Sequence, residues 1–136
     1  MQIVGMFIKN IVAKKYEDEI KNLKVNNNTK INSVKEQDIS ALGRKGLNID
    51  FDFSTEYKNE NKKIAEISIS GNVYVIDNDY EKLLELWKKE NRLPDEVNIN
   101  VLNAILRKCF IKSLLLTEEL QLPSPIPMPY ASLNKE

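Results

Sequence analysis

Apolar residues recur along this chain with two periods, near two in the first half and near 3.6 in the second. Alternation is strictest over residues 48–57. There Ile49, Phe51, Phe53, Thr55 and Tyr57 share one face, and Asp50, Asp52, Ser54 and Glu56 take the other, which predicts a strand. A second run, 64–76, places Ala65, Ile67, Ile69, Val73 and Val75 together. Its phase survives Gly71, so one strand bent there is predicted ahead of a hairpin at Gly71-Asn72. Residues 2–13 are apolar on both faces, with Ile3, Phe7 and Ile11 opposed to Val4, Met6, Ile8 and Val12. That predicts a strand covered on both sides. Residues 31–42 give a fainter strand. Residues 14–30 are charged and Asn-rich. Tyr16, Ile20 and Leu23 there have helical spacing, and Asn26-Asn27-Asn28 predicts a turn or loop.

The period then changes. Asn78 to Glu81 has the spacing of a capping box, with Asn78 as N-cap. The helix it opens carries Tyr80, Leu83, Leu84 and Trp87 as an inner stripe and Glu85–Lys89 as an i,i+4 pair. It is expected to end near Asn91, before Pro94. A longer helix is predicted from Asn98, acting as its cap, to Leu120. Leu102, Ile105, Leu106, Cys109, Leu116 and Leu120 form one stripe at 100° per residue. Ala104, Ile111 and Leu115 form a second, roughly opposite, and a helix apolar on two sides needs cover on both. One side is expected to meet a sheet and the other a sister subunit. Four of the five prolines then lie in Pro123-Ser-Pro-Ile-Pro-Met-Pro129. This predicts an extended strap laid on the fold, with residues 131–136 frayed. One domain over 1–136 results: strand-rich 1–77, helical 78–121, extended Pro-rich 122–136.

Composition adds mainly exclusions. The chain has 136 residues, 42% hydrophobic and 29% charged, enough for one core. Twenty basic residues balance twenty acidic ones, which argues against nucleic acid as the main partner and against an anionic membrane. The lone cysteine, Cys109, and the lack of a basic leader fit a cytoplasmic protein without membrane insertion. Histidine is absent, which removes the commonest general base and zinc ligand. No catalytic residue, cofactor or metal site is expected, and no enzyme.

Two small motifs offer other chemistry. Gly43-Arg-Lys-Gly46 has the form of the loop by which KH domains clamp a nucleic-acid backbone. A KH loop leads into a helix, whereas here a strand is predicted, so an inter-strand turn is preferred to an RNA-binding module. Asp50 and Asp52 share a strand face as catalytic pairs can, but no third polar partner stands at a telling spacing. They read as the solvated side of the strand.

Two stretches together resemble the SecB family of protein-export chaperones. Asn48-Ile-Asp-Phe-Asp-Phe-Ser-Thr-Glu-Tyr-Lys58 is similar to that family's second strand. The long helix through Cys109 and Leu116, running into Leu122-Pro-Ser-Pro-Ile126, is similar to its C-terminal helix and the stretch beyond. The opening strand, Ile3 to Val12, also resembles the family's first. The resemblance spans about half of the chain. It implies an α+β fold, an antiparallel sheet of about four strands with two C-terminal helices on one face. It also implies a homotetramer built as a dimer of dimers, and an ATP-independent holdase that binds unfolded or nascent polypeptides in apolar grooves. Val4, Met6, Ile8, Phe51, Phe53, Ile126 and Met128 are the expected client-binding residues, and Ala104, Ile111 and Leu115 the expected oligomer interface. SecB proteins are usually acidic to suit a translocase motor, and this chain is neutral, so the chaperone chemistry carries over more readily than export. The rival reading is an obligate-oligomer interaction or adaptor protein without chaperone activity.

Overall fold

A computed structural model describes residues 1–18 and 21–133. Among them are four strands, β1 (Gln2–Lys15), β2 (Lys24–Ile39), β3 (Arg44–Asn59) and β4 (Lys62–Ile76), and two helices, α1 (Tyr80–Glu90) and α2 (Asp95–Glu119). The strands form one antiparallel sheet in the order β1-β4-β3-β2. The inward residues of β3 and β4 meet in register, Ile49 with Val73, Phe51 with Gly71 and Phe53 with Ile69. Both helices cover that face. Val101, Ile105 and Cys109 of α2 and Leu83 of α1 complete its core. Phe110 of α2 meets Phe53 edge-on, with ring centroids 5.2 Å apart, a favoured aromatic geometry. The fold class is the α+β arrangement that the alternation and the resemblance lead one to expect. None of the described helices is long and apolar enough to cross a membrane.

β1 departs from the expected alternation. Its register against β4 slips by one residue at Val4, between Ile3 and Gly5, and again at Lys9, between Ile8 and Asn10. Each bulge reverses which face the following residues take. Ile3, Met6, Ile8, Ile11 and Ala13 therefore oppose the inward residues of β4, while Phe7 and Val12 turn to the open face. The two apolar faces read from simple alternation are largely one face, interrupted twice. Gly71 makes this possible, because a Cβ there would land on the Phe7 carbonyl. β4 is one continuous strand through that glycine, as its phase predicts.

Four further boundaries differ from expectation. Asn26 to Asn28 are paired within β2, because β3 supplies a ladder for them. Tyr16 is not helical; its N–H extends the sheet to the Ile64 carbonyl, and Ile20 lies outside the described residues. The N-cap of α1 is Asp79 rather than Asn78, and no side chain caps it. The Asp77 carboxylate instead accepts the Asp79 N–H at 2.7 Å, and this bond holds its carboxyl below the usual range. α2 starts after Pro94, with Asp95 and Glu96 in its first turn, where carboxylates favour the helix dipole. Asn98 is already helical, its N–H bonded to the Pro94 carbonyl, so it is not a cap.

Candidate functional site

Three surfaces hold apolar groups that the core does not absorb. The first is a corner of the open sheet face. The 3-10 turn Ser40–Leu42 after β2 folds back over the start of β3, and Gly46 leaves room for the Ile39 side chain to cross there. Ile39, Ala41 and Leu42 thereby join Val4, Phe7 and Tyr74 around an open pocket of 510 Å³. Phe7 and Tyr74 lean on each other at 5.3 Å between ring centroids. Phe7 is 56% exposed and Leu42 49%, so this corner is more open than a packed core.

The second surface lies along the free edge of the sheet. β1 ends the strand order and has one neighbour, β4. Lys108 of α2 donates to the Met6 carbonyl at 3.2 Å, and Lys15 to the Leu120 carbonyl at 3.1 Å. These bonds tie α2 to β1 at two points. Ala104, Ile111 and Leu115 share a helical face with Lys108. Ile111 is 54% and Leu115 59% exposed. Burying what each still shows would contribute about 1 kcal/mol per residue. The inward stripe of α2 is Val101, Ile105, Cys109, Ser113 and Thr117. It is more polar at its end than the expected stripe, because Leu116 and Leu120 are only half-buried. Burial pushes the Cys109 thiol up to about 11, so it stays protonated and unreactive at neutral pH.

The third is the strap after α2. The helix ends with Gln121 at φ 53. The Gln121 N–H bonds to the Glu118 carbonyl and the Leu122 N–H to the Thr117 carbonyl, the pattern of a Schellman cap. Leu122 then packs on Tyr57 and Ala65, with Leu23 and Leu120 beside them. The Tyr57 hydroxyl donates to the Pro123 carbonyl at 2.5 Å. The Asn27 amide donates to the Pro125 carbonyl at 3.0 Å, while its oxygen accepts from Thr55 at 2.7 Å. Burial pushes the Tyr57 phenol up to about 12. The segment after α2 thus lies on the sheet as a strap, held by two main-chain carbonyls and by the Leu122 side chain.

The ten residues expected to bind clients or sister chains do not gather. Val4 lines the corner pocket. Met6 and Ile8 are half-buried against the core from β1. Phe51 and Phe53 are 1% exposed; their alternation was a core signal, and neither offers surface to a client. Ile126 is half-buried at the end of the strap, next to the Pro125 that Asn27 of β2 holds, and Met128 is 50% exposed beyond it. Ala104 is half-buried beside the exposed Ile111 and Leu115. Sequence reasoning missed Phe7, Tyr74, Ile39 and Leu42, which only the two bulges and the folded-back turn bring together. It also missed Asn27, whose neighbours suggested a turn.

The polar candidates resolve differently. Asp50 accepts from Ser33 at 2.9 Å and from Asn72, and Lys9 stands 3.7 Å away. Asp52 accepts from Asn32 at 2.7 Å. Both carboxylates are cross-strand partners on the open face. Gly43 takes the left-handed conformation after the 3-10 turn and Arg44 begins β3, so the helix that a KH loop requires does not follow.

No family model matches the chain, and no curated protein sequence matches it. A solved structure does: the Mycobacterium tuberculosis Rv1957 SecB-like chaperone in complex with a ChAD peptide from the Rv1956 HigA1 antitoxin. It is 14% identical, with a TM-score of 0.60 over 99% of this chain and 91% of that one. At that identity the likeness is one of fold, and by fold this chain is SecB-like.

Proposed function

We propose that this protein is an ATP-independent holdase that binds unfolded polypeptide at the Val4–Phe7–Tyr74–Leu42 corner and works as a homo-oligomer, a tetramer, in the cytoplasm. The observation that carries the reading is the corner itself, a 510 Å³ apolar pocket with Phe7 more than half exposed. A solvent-facing apolar pocket of this kind marks an interaction site. Capture of a few large client side chains there would contribute several kcal/mol before ordering costs, at about 25 cal/mol per Å². The SecB-like neighbour is a chaperone holding a peptide, which supports a polypeptide as the ligand class. The unpaired edge of β1 and the stripe of Ala104, Ile111 and Leu115 support sister chains as its cover.

The test combines light scattering with suppression of aggregation of a heat-unfolded client. The wild-type chain is expected to be oligomeric and to slow aggregation. Phe7→Ser with Leu42→Ser should abolish the protection and keep the mass. Ile111→Glu with Leu115→Glu should lower the mass. A stable oligomer that never slows aggregation would overturn the holdase reading. It would favour the second one, an assembly or adaptor protein, for which the exposed α2 stripe is the supporting observation.

A further inference from the structure

The strap lies in a slot that takes two main-chain carbonyls and one apolar side chain. Two donors from adjacent strands, the Tyr57 hydroxyl and the Asn27 amide, take the carbonyls of Pro123 and Pro125. Those carbonyls are two residues apart, and the chain bends at Pro125 and Ile126, where the Ser124 hydroxyl accepts the Ile126 N–H at 3.3 Å. Thr55, fully buried, donates to the Asn27 oxygen and so aims the amide outward. Ahead of the carbonyls, one apolar side chain, Leu122, is seated on Tyr57 and Ala65. Nothing in this recognition asks the bound chain for an N–H, which suits a proline-bearing segment. Beyond Ile126 the chain leaves the body, with Met128 50%, Tyr130 87% and Leu133 88% exposed. The strap also departs from α2 through Gln121 in a left-handed conformation that glycine usually fills.

We infer that this slot, formed by Asn27, Thr55 and Tyr57, is a binding site for a polypeptide segment carrying an apolar residue followed by prolines, and that residues 122–126 occupy it as an internal competitor. The inference rests on the holdase reading for its ligand class alone, since slot and apolar corner lie on opposite faces and at opposite ends of the sheet.

A fluorescent synthetic peptide copying residues 120–133 is titrated into the full chain and followed by anisotropy. Leu122→Ser removes the strap's anchor and leaves the three slot residues intact. It should bind the peptide about tenfold tighter than wild type, because the competent fraction rises. Adding Asn27→Ala, an exposed position, should reverse that gain. The wild-type chain gives a separate reading that needs no variant to fold: excess peptide should shift the Asn27 side-chain amide signals in NMR spectra. Unshifted Asn27 signals at saturating peptide, or equal affinity with and without Asn27, overturn the inference. Aggregation suppression that persists in that case leaves the holdase reading standing. Peptide capture by Asn27 in a chain that never slows aggregation does the reverse.

Discussion

The Tyr57 hydroxyl and the Pro123 carbonyl meet at 2.5 Å across 66 positions of sequence. Tyr57 is fully buried, and the bond ties the chain beyond α2 to the central strand β3. Its loss leaves a carbonyl to find another donor. Tyr57→Phe keeps the ring and should cost about 1 kcal/mol in denaturant unfolding.

The same residue makes stability depend on alkaline pH. Its folded pKa, about 12, is raised by burial above the ordinary 10. Between those values the unfolded chain ionises and the folded one does not, so unfolding releases a proton and stability falls as pH rises. Below pH 10 the contribution is complete. Thermal midpoints measured above pH 10 should decline more steeply for wild type than for Tyr57→Phe; parallel curves would remove Tyr57 as the cause.

Gln121 carries the left-handed end of α2 without glycine's freedom. Gln121→Gly keeps both capping bonds, since they are made by main-chain groups. It should stabilise the protein by about 1 kcal/mol, read as a raised unfolding midpoint. A lowered midpoint would mean that the unfolded chain's gain in freedom outweighs the relieved strain.

The Ser113 hydroxyl is buried without a hydrogen-bond partner among the described residues. Ser113→Ala removes the unsatisfied group and suits the helix better, so a gain of about 1 kcal/mol is expected. A loss would reveal a partner for the hydroxyl in the assembled protein, and repeating the measurement on dilution would locate it.

Gly71→Ala should cost about 1–3 kcal/mol, because the new methyl meets backbone that cannot swing aside. The damage should centre on β1. Hydrogen exchange at Ile8 and Ile11 ought to accelerate more than exchange at Phe53 in the central β3.

The central strands were legible because each residue's face follows its parity: Ile49 to Tyr57 and Ala65 to Val75 sit where alternation puts them. Both helices were legible as elements, but not their starts, since α1 begins after Asp79 and α2 after Pro94 with no side-chain cap, where Asn78 and Asn98 had been expected to supply one. The strap was legible from its prolines, though not the donors that hold it. The site was the least legible part. Phe51 and Phe53 carry the same alternation whether a helix or a client covers them, and here α2 covers Phe53. Phe7 and Leu42 become neighbours only through single-residue slips and a turn, which leave no periodic trace.

The paired slips at Val4 and Lys9 act on the opening strand as two frameshifts that cancel. Each slip holds one residue more than β4 supplies, so losing Val4 or Lys9 alone would close its bulge and keep the pairs on either side, Ile3 with Val75 and Gly5 with Tyr74, or Ile8 with Gly71 and Asn10 with Ser70. Losing a paired residue between them, such as Phe7, would instead turn every side chain on one side of the cut to the other face. Length variation in this strand is therefore cheap at the two slips and costly between them.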